Sequence, residues 1–274
     1  MLLKSGIDSS WFEMKVLLGS ILNKEPKQIL FTEALNDEQQ KQFAEMIQQR
    51  LTHRPADKII GEKGFYKFNF AVDENVLSPR ADSEILTQAA IALLNSINKA
   101  KILELGVGSG CLILSILAEI TTATGTGIDI SKTALRIAQT NAVKLGISSQ
   151  RITFYHKSWF DEDITNFFLT DGLFDMIISN PPYIPTSEIA LLDEEVKNYD
   201  PLLALDGGED GMRDYRQILP LASKMLKRRG YLLLEAGGSD QLKQISSLAL
   251  NYQLQTLDIL KDLNGNERCI ILKK

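Results

Sequence analysis

The sequence predicts an α/β protein built on a parallel sheet covered by helices, and three observations predict it. From residue 100 onward, short apolar runs alternate with segments of helical spacing, as expected when parallel strands are joined by helical crossovers. Ala100-Lys101-Ile102-Leu103-Glu104-Leu105 leads into Gly106-Val107-Gly108-Ser109-Gly110 and then a helix-like run over 111–120. The next strand candidate, 125–129, ends in Asp129. Ligands of open sheets bind beyond the carboxyl ends of the strands. The glycine loop, Asp129 and a later turn at Asn180 are therefore expected to emerge at one crevice.

Along the chain, residues 10–54 have helical spacing. Trp11, Met14, Leu17, Leu18 and Ile21 form one stripe and Phe43, Met46, Ile47 and Leu51 another, separated by Pro26 and Asn36-Asp37, which predicts a small helical domain over 1–60. Residues 61–77 change character: Phe65, Tyr66, Phe68, Phe70 and Val72 alternate around polar residues, a β-hairpin linker assigned to 61–80. Ser78-Pro79-Arg80-Ala81-Asp82-Ser83-Glu84 opens the next helix, with Asp82 or Ser83 as its cap and the linker placed to line the mouth of a site. The third unit, 81–274, carries strands and helices in alternation at 101–105, 111–120, 125–129, 132–145, 152–156, 174–179, 213–226, 230–235, 242–250 and 269–272. No internal repeat or low-complexity tract is present.

Glycines at alternating positions let a backbone turn tightly and approach a ligand where a Cβ would intrude. No Lys follows Gly110, so the loop is not the nucleoside-triphosphate pattern. Asp129 is the acidic residue expected to accept hydrogen bonds from ribose hydroxyls, or an N-cap for the helix that begins near Ser131. Nicotinamide cofactors and S-adenosyl-L-methionine share the ribose requirement. Glu104 before the loop, and the turn that ends a later strand, favour S-adenosyl-L-methionine.

That turn is Asn180-Pro181-Pro182-Tyr183, which follows the apolar run Phe174-Asp175-Met176-Ile177-Ile178-Ser179. Two prolines remove two backbone donors and force the chain out of the sheet, leaving carbonyls to accept. The Asn180 side-chain oxygen and a neighbouring carbonyl can take both protons of a planar NH2 group, with the Tyr183 ring against its flat face. An abrupt loop after a strand is the simpler alternative.

At 274 residues and 44% apolar composition the chain can bury a substantial core. No run approaches a membrane span, and Met1-Leu2-Leu3-Lys4 lacks the pattern of a secretory signal, so a soluble, cytoplasmic protein without a membrane partner is expected. Cys111 and Cys269 sit in apolar contexts and read as small core residues. His53 and His156 are far apart, which gives no support to a metal site or a Ser-His-Asp triad. The net charge of −5 argues against a protein that wraps nucleic acid. The basic cluster at 224–229 reads as a helix C-terminus favourable to its dipole.

On these residues the chain resembles the release-factor glutamine methyltransferase family over nearly its whole length. The matching positions include Asn180-Pro181-Pro182-Tyr183-Ile184-Pro185, Gly61 with Phe65-Tyr66, Leu77-Ser78-Pro79-Arg80, Glu104-Leu105-Gly106-Val107-Gly108-Ser109-Gly110 and Asp129 with Asn141. Glu195-Val196, Tyr215-Arg216, Glu235 and Arg268 follow. The resemblance implies an S-adenosylmethionine-dependent methyltransferase (Rossmann-like) fold with a seven-stranded sheet, a helical N-terminal domain that recognises substrate, and a hairpin linker. It implies that Glu104, Gly106, Val107, Gly108, Ser109, Gly110 and Asp129 hold the cofactor, that Trp159 flanks its adenine, and that Asn180 faces both cofactor and substrate. Asn180, Pro181, Pro182 and Tyr183 would form the catalytic glutamine pocket. The implied partners are bacterial class I peptide-chain release factors, methylated at the glutamine of Gly-Gly-Gln, with S-adenosyl-L-homocysteine as product. A monomer without a stable nucleic-acid partner is expected. The sequence departs from the family where Ala81-Asp82-Ser83-Glu84 replaces the usual Pro-Glu-Thr-Glu, and where Ser158 replaces an acidic residue before Trp159.

An amide nitrogen is a poor nucleophile because its lone pair is delocalised, so alignment and electrostatics must carry the reaction. Hydrogen bonds from the amide NH2 to the Asn180 oxygen and the Pro181 carbonyl would supply both. Exocyclic amines present the same planar NH2, so an N6-adenine or N2-guanine nucleic-acid methyltransferase is the rival reading. A cofactor-binding adaptor without catalysis is the third.

Overall fold

The computed structural model describes residues 10–30, 34–169, 172–262 and 264–274. Met1-Leu2-Leu3-Lys4, read above for a leader, lie outside them. The chain opens with α1 (Ser10–Leu22), α2 (Asp37–Leu51) and α3 (Ala56–Ile60). Asn36 caps α2: its side chain accepts from the Gln39 N–H at 2.9 Å while Gln39 reaches back to the Asn36 N–H, a reciprocal box that satisfies two orphan donors. Leu17 and Leu18 are buried as expected, but Trp11 is 58% exposed, so the apolar stripe of α1 is narrower than its sequence reads.

A hairpin follows, β1 (Glu62–Phe65) against β2 (Phe68–Ala71), antiparallel. The remaining elements are α4 (Glu84–Leu94), β3 (Lys101–Leu105), α5 (Cys111–Glu119), β4 (Thr124–Asp129), α6 (Lys132–Lys144), β5 (Ile152–His156), α7 (Ile164–Leu169), β6 (Phe174–Ser179), α8 (Glu194–Tyr199), α9 (Arg213–Met225), β7 (Leu226–Glu235), α10 (Ser239–Leu250), β8 (Gln255–Lys261) and β9 (Glu267–Lys273). The sheet has seven strands in the order β5-β4-β3-β6-β7-β9-β8.

The first five strands in that order run parallel, while β9 is antiparallel to both β7 and β8. The expectation of a parallel sheet is corrected at this end. β8 is mostly exposed, so it shows neither an apolar run nor clean alternation, and a strand signal is absent from its sequence. The basic cluster at 224–229 is a second correction. Helix α9 ends at Met225 and Lys227, Arg228 and Arg229 already lie in β7, where Lys227 pairs with Asp175 at 2.7 Å.

Side chains alternate across the sheet with period two. Leu103, Leu105 and Ile177 face α9 and α10 in one core cluster, and Ile102, Met176, Ile178 and Leu233 face α4 and α5 in the other. β6 is buried at every position, which explains its unbroken apolar run. The strand order reverses at β3, whose neighbours are β4 and β6, and such a switch point opens a crevice at the carboxyl ends of the strands.

The helical region grips the segment that follows β6. Arg50 pairs with Glu13 at 2.6 Å and with Glu195. Lys58 and Arg80 hold the two oxygens of Asp200 at 2.6 and 2.7 Å. These bonds fix the chain that runs into Pro201, Leu203 and Ala204 over the crevice.

Candidate active site

Four adjacent strand ends carry the site. Register places Leu105 beside Ser179 and Ser179 beside Leu234, so Gly106, Asn180 and Glu235 follow one another along the rim, with Asp129 at the end of β4 on the far side of β3. The Ser179 hydroxyl donates to the Leu105 carbonyl at 2.6 Å and ties the two central strands together there.

A cavity of about 310 Å³ opens above these ends. Among the expected cofactor residues, Glu104, Gly106, Val107, Gly108, Ser109, Asp129, Trp159 and Asn180 line it, together with Pro182. Gly110, Pro181 and Tyr183 do not. The linker contributes residues 74–80, as expected for a segment at the mouth, and Ser83, Leu112, Ile130, Pro201, Leu203 and Ala204 are among the other residues of the wall.

The loop is built for close approach. Gly106 N and Val107 N both donate to the Ile128 carbonyl at 2.9 and 3.0 Å, pinning the loop to β4. Gly106 has φ +77°, and a Cβ there would stand 3.4 Å from the Trp159 ring. Glycine therefore lets the indole close over the loop. Trp159 is held from behind by its Nε1, which donates to Asp214 at 3.0 Å.

Asp129 is not the cap of α6. Ser131 caps it, accepting from Ala134 N, while Asp129 accepts from Gly108 N at 2.9 Å and Ser131 N at 2.8 Å. Burial raises its pKa, against those two bonds. Glu104 is buried beneath the loop, accepts from Ile113 N at 3.2 Å, and is raised well above the ordinary value by burial, with Asp129 adding to the effect. Two carboxyl groups beside an indole and aliphatic wall suit hydroxyls, a flat heterocycle and a cationic centre. They do not suit a pyrophosphate.

Asn180 projects from the end of β6. Its Nδ2 donates to Ser83 Oγ at 3.2 Å, and Ser83 in turn donates to Glu235 Oε2. Ser83 was read as a cap for α4, but it makes no cap bond there because its hydroxyl serves this chain. Among the described residues neither the Pro181 nor the Pro182 carbonyl accepts a backbone hydrogen bond. Both prolines are buried and Tyr183 is half-buried. The Tyr183 ring packs beside Gly237, its carbonyl accepts from Gln241 Nε2 at 3.1 Å, and burial raises its phenol.

Glu235 is 2% exposed. Burial pushes its pKa up to about 7, the charge of Asp82 adds to that, and hydrogen bonds from Ser83 and Asn180 oppose it. Ser83 had no site signal in the sequence, and Glu235 had only its place at the end of an apolar strand and among the positions of the family resemblance, with no role attached. Cys111 and Cys269 are unpaired. No group of metal-ligating side chains occurs among the described residues.

Residues 97–269 match the family described as Methyltransferase domain and residues 1–61 the PrmC N-terminal domain. The chain is 35% identical over 272 residues to a release factor glutamine methyltransferase of Rhodospirillum rubrum, covering 98% of this chain and 81% of the relative. A release factor glutamine methyltransferase of Fusobacterium nucleatum is 34% identical over 274 residues, covering 99% and 75%. Among solved structures, a SAM dependent methyltransferase from Agrobacterium tumefaciens aligns with TM-score 0.52 at 14% identity, over 77% of this chain and 68% of that one. It shares the fold.

Proposed function

The chain belongs to the release factor glutamine methyltransferase family, and on that premise we propose that it transfers a methyl group from S-adenosyl-L-methionine to the side-chain amide nitrogen of the glutamine in the Gly-Gly-Gln motif of bacterial class I release factors. The observation that carries the reading is the position of Asn180. It lines the same cavity as the glycine loop and Asp129, with the NH2 end of its amide bonded to Ser83.

S-adenosyl-L-methionine supplies, when bound, a methyl group on a sulfonium and leaves as S-adenosyl-L-homocysteine. The residues present fit it: Asp129 accepts from ribose hydroxyls, Trp159 and Leu112 face the adenine, and Gly106, Val107, Gly108 and Ser109 admit the chain of the molecule closely. Glu104 and Gly110 shape the loop from beneath. The Asn180 oxygen and the Pro181 carbonyl accept the two protons of the substrate amide. They hold its nitrogen in line and offset the positive charge that develops on it. Pro182 walls the pocket, and Tyr183 packs behind it as support.

The helical region 1–60 is proposed to recognise the release factor, with 61–80 as linker and 81–274 as the catalytic domain. The working form is a cytoplasmic monomer without a stable nucleic-acid partner. No helix among the described residues is long and apolar enough to cross a membrane.

The test is incubation of the purified chain with radiolabelled S-adenosyl-L-methionine and an unmodified release factor, the same factor with its Gly-Gly-Gln glutamine replaced, and total RNA. Label on the intact factor alone supports the reading. Label on RNA and not on protein would replace it with an N6-adenine or N2-guanine methyltransferase.

A further inference from the structure

Ser83, Glu235 and Asn180 come from three distant parts of the chain. Ser83 precedes α4, Glu235 ends β7 and Asn180 follows β6. Ser83 is 3% exposed and Glu235 2%, so neither side chain meets bulk water and each must find its partners inside. The directions of the bonds are constrained by chemistry. An ionised carboxylate only accepts, and a serine hydroxyl has one proton. Once Ser83 gives that proton to Glu235 Oε2, its oxygen has only lone pairs left for Asn180. Only the NH2 end of the Asn180 amide can meet them, as it does at 3.2 Å. The carbonyl end is then turned away from Ser83. Reversing the amide would set oxygen against oxygen at Ser83.

We propose that Ser83 and Glu235 are positioning residues that fix which end of the Asn180 amide faces the substrate, so that an acceptor and not a donor meets the glutamine NH2. This rests on the reading of Asn180 given above. A donor in that place would repel the substrate amide and oppose the charge that forms on its nitrogen. The lock holds while Glu235 is ionised. A protonated Glu235 can itself donate to Ser83, which frees the Ser83 proton for Asn180 and lets the amide reverse.

Glu235 is surrounded by groups that set when this happens. Asp82 raises its pKa and Arg268 lowers it, Arg268 being shared with Asp262. Cys111, Cys269, Tyr183 and Tyr215 also face it, and each is raised by burial and stays neutral. The Tyr215 hydroxyl donates to the Glu235 backbone carbonyl at 2.6 Å, which leaves the carboxylate to Ser83 and to the NH2 end of Asn180, whose donation to an ionised Glu235 favours the same amide orientation. Loss of the lock is therefore expected as pH falls below about 7.

The experiment compares the full chain with Ser83→Ala, Ser83→Thr, Glu235→Gln and Asn180→Ala, using S-adenosyl-L-methionine and a release factor as substrates. Calorimetric affinity for S-adenosyl-L-homocysteine provides the control for folding and cofactor binding. Ser83→Ala is expected to lower kcat by about ten- to a hundredfold, with the affinity for S-adenosyl-L-homocysteine kept and activity restored by Ser83→Thr. Glu235→Gln is expected to lower kcat and to abolish the rise of kcat with pH that the lock implies for the unaltered chain. In that unaltered chain, without cofactor, the side-chain NH2 resonances of Asn180 are expected to shift across the same pH range, a measurement that needs no variant to fold. Wild-type kcat in Ser83→Ala and Glu235→Gln, or Asn180 resonances that stay fixed with pH, would overturn the positioning role and leave Asn180 as the acceptor. Near-normal turnover in Asn180→Ala would instead remove the reading on which it rests.

Discussion

Asn141 of α6 donates to the Ser109 carbonyl in the glycine loop at 2.8 Å while its amide closes a pair of bonds with Ala71 at the end of the hairpin. One buried side chain thus ties the linker, the loop and a covering helix together. Its three partners are backbone groups, the Ser109 carbonyl buried and the two Ala71 groups partly so. Asn141→Ala is expected to destabilise the chain by about 3 kcal/mol, since buried polar groups left unpaired each cost on the order of 1–3 kcal/mol. Affinity for S-adenosyl-L-homocysteine should fall with it, because Ser109 lines the cavity. Urea unfolding and calorimetry measure the two effects. Unchanged values of both would mean that loop and hairpin hold their geometry without the link.

Gly110 closes the loop at φ +80°, and a Cβ there would stand 2.8 Å from Leu114 Cδ1 and 3.3 Å from Ala138 Cβ. Gly146 has φ +67° with nothing within 4 Å. The pair separates backbone strain from crowding. Gly146→Ala is expected to cost only the left-handed penalty, about 1–2 kcal/mol, with cofactor affinity unaltered. Gly110→Ala should cost that and roughly 1–3 kcal/mol more from overpacking, and should weaken S-adenosyl-L-homocysteine binding by displacing the start of α5. Equal costs in thermal unfolding would show that Leu114 moves aside freely.

Trp159 lines the cavity and Trp11 lies on α1, and these are the chain's two tryptophans. If adenine stacks on Trp159, titration with S-adenosyl-L-homocysteine changes the indole fluorescence, and Trp159→Phe abolishes the change while Trp11→Phe preserves it. Trp159→Phe also leaves the buried Asp214 without its Nε1 partner, so a lowered melting temperature is expected alongside. A fluorescence change that survives Trp159→Phe would place the adenine elsewhere on the wall.

The elements that the sequence made legible are those whose chemistry is local. Asn180 with its prolines, the glycine loop and Asp129 each announce themselves within a few residues, and the sheet brings them to one cavity because its strands are parallel and their ends coincide. Ser83 and Glu235 are different. Ser83 lies 97 residues from Asn180 and 152 from Glu235; the register of β6 against β7 sets Asn180 beside Glu235, and the packing of α4 in the core cluster that holds Leu233 of β7 brings Ser83 to both. Near Glu84, Ser83 reads locally as a helix cap, which is a commoner use for serine at such a place. The wall at Pro201 and Leu203 was hidden for a similar reason: it is held by Lys58 and Arg80 on Asp200, contacts across well over a hundred residues. Tyr183 lies beyond that lining, with its ring packed beside Gly237.

Glu235 should also write its ionisation into stability. Its ordinary value of 4.5 is raised to about 7 in the folded chain, so between those values the folded state holds a proton that the unfolded state has lost. Stability then falls as pH rises through this window and is level above it. The full effect is about 3 kcal/mol, from a shift of roughly 2.5 units at 1.36 kcal/mol each. Glu104, Asp129 and Asp214 are raised in the same direction, so the slope of the unaltered chain alone does not isolate Glu235. Glu235→Gln does, because it keeps those groups and removes only this one. The stability of the variant relative to the unaltered chain is expected to increase between about pH 5 and pH 8, by up to about 3 kcal/mol, measured by urea unfolding at each pH. The same substitution is expected to lower kcat, so the ionised Glu235 would destabilise the fold at the pH where it orders Asn180. A relative stability that does not change with pH would mean that Glu235 is ionised equally in both states, and the pH dependence of Asn180 would then need another source.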